Sequence, residues 1–577
     1  MEAPSSRASG SASLACREPR SYTPGIVQTA DGDPALPPRH RWAAWLVFVA
    51  ALAWLSIGAG RRALWQDEAS TALLGERLLE TGRPLAFDGT NLLTMDDFRA
   101  EEEAEIGAAM KSTSSALSYL TARGDFAADT TWTGQPWGSF ALAGLSETIA
   151  GKSELALRLP FIACAAAAAA LLWWVLASRT GTASGWLGVA VLLTNVFWFV
   201  HSRQCRYYAP SSLWALATFA AYLRWRDDRR FGAALFVLAA VVWFQFDFGS
   251  PFPVLAVLAL DALAFERRRL PETLGVFALV SLLYLPSILY FDLADRLRPT
   301  DLPLPLRAAG LAFYVNQYVL PFAVGAAALG LFSFSRRASP NARRIVALAL
   351  AIIFGELAWM SYASPYPFLR YVIGLAPFGA MVVALVAVEI GRRLGAEPRA
   401  AAAIAAGVCA LQIASPVFAA PLSRMLSRDL GQQLEPGPFV RAELDVLWSE
   451  LAREAPDPNR AVVDALRARL EPGDEVLANY ENLPLAFYLD VPVRGGIAGF
   501  RVEDAEPARF VVLRRTVDFV HWPPYERALA KARYRRLPID APDVPWGNNP
   551  DPLAHWSRIP SPAPSLILLE RDDPARR

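Results

Sequence analysis

The chain has 577 residues, 54% of them hydrophobic, and a mean hydropathy of +0.25. Few water-soluble enzymes sustain that average over such a length, so the composition points to membrane residence. With 56 basic and 55 acidic residues the formal net charge is +1, which excludes the broad positive field of a nucleic-acid-binding protein. The four cysteines, Cys16, Cys164, Cys205 and Cys409, are scattered and show no C-x-x-C spacing, which argues against a disulfide framework or a zinc site.

Residues 1–41 are rich in Ser, Ala and Pro, lack apolar periodicity and read as a disordered tail. Trp42–Gly60 is too long for a signal-peptide core, and no clear cleavage pattern follows it, so it reads as a retained first span. The next polar stretch, 61–154, opens with "RRALWQDEAS" and contains "FRAEEEAEIGAAMKSTSSALSYLTARG". There Ile106, Met110, Leu117 and Leu120 recur at helical spacing, which predicts an amphipathic helix lying at the membrane interface. "GQPWGSFALAGLSETIAG" is apolar but interrupted by Gly, Gln and Pro, and reads as a short span or an outer-face hairpin. Ten further apolar runs follow: Leu155–Leu176, Gly185–Val200, Tyr207–Leu223, Phe231–Phe246, Pro251–Phe265, Leu274–Phe291, Leu311–Phe334, Ile345–Tyr362, Phe368–Ile390 and Ala401–Ala420. With the first they make about eleven membrane-spanning helices.

The Arg-rich loops "RWRDDRR", "FERRRLPE", "SRRASPNARR" and "GRRLGAEPR" share one side, which the positive-inside rule makes cytoplasmic. That puts the N-terminus inside, and the 61–154 loop and everything beyond the last span outside. The division is a cytoplasmic tail (1–41), a transmembrane domain (42–422) with a large first external loop, and a soluble α/β domain (423–577). In the last part, "DEVLANY" and "RFVVLRR" read as strands and "YERALAKARY" as a helix, with "SLILLERD" near the end. No Gly-rich phosphate loop is present, so a nucleotide-driven pump is not indicated.

Charges at the outer boundary carry the functional signal. Asp67 and Glu68 stand beside Trp65, which reads as an interfacial anchor; His201, Arg203 and Arg206 lie in "VHSRQCRYYAP"; Arg158 and Arg370 open two other spans. Ionisable groups at membrane depth face cavities and pair with something. A lipid-linked donor carries its phosphate at headgroup level, where the planar fork of arginine is a suitable clamp, and a nearby carboxylate can take the proton of an attacking hydroxyl.

The motifs "WQDEAS…GRP", "TGQPWGSFALAGLSETIAGKSELALRLPF", "SRQCRYYAPSSLWALATFAAYLRW" and "FLRYVIGLAPFGA", in that order over Trp65–Gly379, resemble the GT-C membrane glycosyltransferases that use polyprenyl-phosphate sugars. Protein O-mannosyltransferases, lipid A aminoarabinose transferases and lipopolysaccharide-core transferases are the relatives in pattern. The resemblance implies an α-helical GT-C integral membrane enzyme of the bacterial inner membrane with its site at the outer face. It implies inverting transfer from a polyprenyl-phosphate sugar to a hydroxyl on a glycan, lipid or protein, with no obligatory cofactor; it leaves a divalent cation open. Asp67 is then the base, Glu68 its assistant, and Arg370, Arg206 and Arg158 with Tyr207 hold the donor phosphate. Gln135 stands where relatives carry His-Pro-Pro or Lys-Pro-Pro, and Asp129 and Asp247 are secondary acids.

Each residue has a structural reading beside the functional one. Asp67 and Glu68 can serve a helix N-terminus, Arg206 can snorkel beside Tyr207, and Arg158 can pair with Glu154 at i,i+4. Asp129 suits a turn or cap, and Asp247 a helix end before Gly and Pro. At the level of the whole chain the competing functions are a flippase for lipid-linked sugars, which calls for inverted repeats, and a structural membrane subunit, which calls for no cavity at Asp67.

Overall fold

The computed structural model describes residues 38–94, 113–123, 126–265, 269–296, 303–333, 338–364, 367–394, 443–502, 507–515, 520–544 and 564–572, with isolated positions 403, 407, 548, 555 and 556. The expected tail, the span Ala401–Ala420, and Ile106 and Met110 of the amphipathic segment lie outside the described residues.

Among the described residues, four helices are long and apolar enough to cross a membrane: Glu154–Thr180, Leu270–Tyr290, Pro340–Ala363 and the continuous stretch Leu369–Arg393. Two bent pairs raise this to six if each is one span. Leu369–Arg393 is the centre of the bundle, 89% of its apolar window being buried inside the protein, whereas Leu270–Tyr290, at 17%, turns most of its leucines outward. Shorter apolar helices cover Pro38–Ser56, Tyr208–Arg226, Gly232–Phe244 and Pro251–Phe265. At one end of the bundle Asp261 accepts from Tyr222, Arg226 and Arg344, tying three helices together.

Two expected spans are broken. Gly185–Val200 bends by 70° between helices Thr182–Thr194 and Val196–Ser202. Asn195 sits in the break, accepting the Trp198 amide and donating to the Tyr318 carbonyl. Leu311–Phe334 bends by 73° where Pro321 follows the π-turn Val315–Val319. Hydropathy averaged over a window does not register a single polar cap or proline.

The external loop begins with helix Gln66–Thr81, which packs along helix Gly138–Ala150. The two backbones touch at Gly75 and Gly144: a Cβ on Gly75 would stand 2.5 Å from the Phe140 carbonyl oxygen, and one on Gly144 would stand 2.4 Å from that of Gly75. At 13 residues, Gly138–Ala150 is about 20 Å long, too short to cross a bilayer. Helix Thr113–Arg123 buries Leu120, and Tyr119 meets the ring of Phe500. Its described part is therefore a packed element, not the free interfacial helix the spacing suggested.

The C-terminal part is a five-stranded sheet in the order β2-β1-β3-β5-β4, with β1 Val476–Ala478, β2 Val493–Gly495, β3 Phe510–Leu513, β4 Tyr534–Leu537 and β5 Ile567–Arg571. β1 pairs in parallel with β2 and β3, while β5 runs antiparallel to both β3 and β4. Helices Pro458–Arg467, Asn482–Tyr488 and Pro523–Ala530 pack on it. "VLA" and "FVVL" were legible as strands; β2, β4 and the final strand β5 were not assigned from the sequence.

Candidate active site

A cavity of about 1000 Å³ opens where the helical bundle, the first external loop and the C-terminal sheet domain meet. Asp67 lies on its wall in the first turn of helix Gln66–Thr81, with Trp65, Gln66 and Ser70 around it. The Asp67 side chain keeps 20% exposure, and its Oδ2 is 3.4 Å from Nη2 of Arg206. Arg206, almost fully buried, also donates through Nη1 to the Asp67 carbonyl (3.2 Å), Thr71 Oγ1 (3.1 Å) and Gln135 Oε1 (3.4 Å). It is thus aimed by four acceptors, and its Nε is buried without a partner.

Arg370 lines the same cavity, at the start of the central span. Its guanidinium lies 4.3 Å from the ring centre of Phe368 and 5.9 Å from that of Tyr371, and it forms no hydrogen bond or ion pair among the described residues. Tyr207, Gln135 and Asp247 complete the expected residues that share this space. Asp247 is already engaged: Ser211 donates to one oxygen at 2.6 Å, and the amides of Gly249 and Ser250 approach the other at 2.9 and 3.3 Å. That makes it the cap before helix Pro251–Phe265.

Three expected site residues stand elsewhere. Glu68 is fully buried, accepts Nε and Nη2 of Arg158 at 2.8 and 2.6 Å, and takes the Cys205 amide at 2.8 Å. Arg158 spends its remaining donors on the carbonyls of Ala59, Arg62 and Ala63. The pair braces the turn that precedes Asp67 and neither member reaches the cavity; Arg158 pairs with Glu68, not with Glu154. Asp129 is half-exposed and paired with Arg83 at the surface, and its bonds from Thr131 hold its carboxyl below the ordinary range. Trp65 is not an interfacial anchor: it is 2% exposed and donates to Gln204 at 3.2 Å.

The strand of chain before Asp67 is held by the C-terminal domain. The Ala63 amide donates to Asp457 (2.7 Å) and the Leu64 amide to Tyr488 (2.9 Å). The carbonyls of Ala63 and Leu64 accept from Asn548 (3.1 Å) and Asn459 (3.0 Å). Gln66 donates to Asn482 (3.0 Å) and accepts the Leu483 amide (3.2 Å). These residues are scattered polar positions with no motif, so no local signal marked them. Behind them Glu481 accepts from Asn459 on one oxygen, leaves the other buried without a partner, and sits in the left-handed backbone region at φ 58°. Burial pushes its carboxyl up to about 7, and the charge of Asp67 adds to the rise against the pull of Arg514 and Asn459. A second buried acid, Glu450, shows the opposite balance. Burial works against its charge, but Arg62, the His555 hydrogen bond and Arg203 outweigh it and hold the carboxyl well below its usual range.

Among the described residues no three His, Cys, Asp or Glu side chains converge closely enough to hold a metal ion. Among the described residues the cavity offers two guanidiniums to an anion and two partly exposed carboxylates, Asp67 and the hydrogen-bonded Asp247.

The fold is similar to that of solved GT-C membrane glycosyltransferases. Among solved structures, ArnT from Cupriavidus metallidurans in the apo state aligns over 92% of this chain and 98% of its own length, with a TM-score of 0.52 and 12% identity. The same protein bound to undecaprenyl phosphate aligns over the same shares with a TM-score of 0.49 and 12% identity. The arabinosyltransferase EmbB from Mycobacterium smegmatis aligns over 62% of this chain and 31% of its own, with a TM-score of 0.41 and 16% identity. No family model and no curated protein matches the sequence.

Proposed function

We propose that this protein transfers a sugar from a polyprenyl-phosphate donor to a hydroxyl acceptor at the outer face of the inner membrane. The observation that carries the reading is Arg370, a half-buried guanidinium on the wall of the Asp67 cavity that makes no hydrogen bond or ion pair among the described residues, with Asp67 the nearest negative charge acting on it. A cation held unpaired in a low-dielectric site is costly unless an anion arrives to meet it. With Arg206 it presents two forks for phosphate oxygens, while Phe368, Phe246 and Met360 on the same wall suit an apolar neighbour. ArnT, whose fold the chain shares, has been solved with undecaprenyl phosphate bound, which supports a polyprenyl lipid as partner.

In this reading Asp67 accepts the proton of the acceptor hydroxyl as its oxygen bonds to the anomeric carbon. The bond from that carbon to the phosphate oxygen breaks, and its electron pair leaves with polyprenyl phosphate, stabilised by Arg370 and Arg206. Attack opposite the leaving group inverts the anomeric centre. No nucleotide or redox group enters this balance.

The test is purified full-length protein in proteoliposomes with a panel of polyprenyl-phosphate sugars, following release of polyprenyl phosphate. Release by the parent and its loss in Asp67→Asn, with insertion intact, is the expected outcome. Passage of intact donor across the bilayer without release would replace this reading with a flippase.

A further inference from the structure

This inference rests on the role of Asp67 proposed above and concerns what carries the acceptor hydroxyl. The two walls of the cavity differ in chemistry. The bundle wall brings Arg206 and Arg370 to Asp67. The opposite wall, from the C-terminal domain, presents Tyr480, Leu483, Ile497, Val520, His521 and Trp522. Among its described residues that wall holds no carboxylate, guanidinium or ammonium group.

The backbone that carries Trp522 is held in place. The Trp522 carbonyl accepts the amides of Tyr525 and Glu526 at 2.9 and 3.1 Å, at the start of helix Pro523–Ala530. The preceding His521 amide donates to the Ile497 carbonyl at 2.9 Å. Tyr525, buried beneath, donates its hydroxyl to the Gly496 carbonyl at 2.5 Å, locking the helix to the end of β2. Gly495 permits this: it sits at φ 113°, and a Cβ there would stand 2.5 Å from the Tyr525 hydroxyl. The Trp522 backbone therefore needs no rearrangement to receive a ligand.

A phosphorylated or carboxylated acceptor group pressed against this wall would be desolvated with no counter-charge. An uncharged sugar ring fits: its C–H face lies on an aromatic face, and its hydroxyls reach the polar tips of His521 and Tyr480. We propose that the C-terminal domain is the acceptor-recognition element and that the acceptor group reaching Asp67 is an uncharged sugar ring stacked on Trp522.

The test is saturation-transfer NMR on the purified full-length protein with methyl glycosides of glucose, mannose and galactose, their 6-phosphates, and a short Ser/Thr peptide. The expected result is saturation of ring C–H protons in at least one neutral glycoside, weakened at least tenfold in Trp522→Ala and retained in Trp522→Phe. With polyprenyl phosphate filling the Arg206–Arg370 side of the cavity, the matching 6-phosphate should bind at least threefold more weakly to the parent protein, a contrast that needs no variant to fold. Preference for the 6-phosphate or the peptide, or unchanged binding in a folded Trp522→Ala, overturns the proposal. Asp67→Asn should still bind the glycoside. Absence of glycoside binding alongside loss of transfer in Asp67→Asn sinks only the acceptor assignment; the reverse pattern sinks only the catalytic reading.

Discussion

Asp67 and Glu68 are neighbours in sequence and opposites in environment. One helical step places Asp67 on the cavity and turns Glu68 into the packed turn beside Arg158. The family resemblance named Asp67 as the base but kept Glu68 beside it as an assistant, because the burial of Glu68 depends on Arg158 and Cys205, which come from other segments. Their substitutions should therefore differ in kind. Asp67→Asn removes the base and weakens its ion pair with Arg206, so transfer should fall about 10²–10⁴-fold with a drop in Tm smaller than that of Glu68→Gln. Glu68→Gln leaves Arg158 buried and short of its counter-charge, at a cost of about 3–5 kcal/mol; reduced yield and a lowered Tm in membranes are expected before any kinetic effect can be read. Arg370→Ala forfeits one charge-assisted contact of about 1.5–3 kcal/mol, a drop of roughly 10- to 100-fold in kcat/KM for the donor. A donor titration of a folded Arg370→Ala protein that overlays the parent would exclude it from phosphate binding.

Two elements depart from the hydropathy pattern, and both departures shape the site. The bend at Asn195 ends one apolar helix early and sends Val196–Ser202 across the bundle, so that the following turn delivers Cys205 and Arg206 to the acids of the external loop. An apolar average reads this as one span because the bend rests on a single side chain bonded to Tyr318. Arg206 and Arg370 were legible for a better reason: basic residues on a side expected to be external violate a strong rule and draw notice. The brace from the C-terminal domain was invisible, since Asn459 and Asn482 are single polar residues at the starts of short helices and carry no periodicity. Its importance can be measured. Asn459→Ala removes the donor shared by Leu64 and Glu481, and Asn482→Ala unties Gln66. Each should lower kcat several-fold with little change in donor KM, because about 1 kcal/mol of hydrogen bonding holds the backbone rather than the substrate. Asn482→Asp, which keeps the acceptor for Gln66, should recover most of the loss.

At the scale of the molecule, the bundle and the sheet domain share one buried polar seam, and that seam titrates. The Glu481 carboxyl is raised from 4.5 to about 7, so it favours the folded, docked state while protonated. Its contribution is fully present below the free-chain carboxylate range and is lost as pH rises through about 7. Tm should therefore decline across this window more steeply in the parent than in Glu481→Gln, the two curves converging at low pH; parallel curves would remove Glu481 from the seam. Membrane residence could be read from composition, and the fold class came from the motif resemblance over Trp65–Gly379, whereas the seam could not be read, because it joins positions far apart in the chain. The Ala63 amide bonds to a side chain 394 residues later, and its carbonyl to one 485 residues later. During synthesis, then, the acid at position 67 is made early and waits. Its final geometry exists only after the last segments have emerged and folded against it, so the order of translation itself delays activity, and a ribosome stalled near residue 450 would leave an inserted but catalytically silent chain.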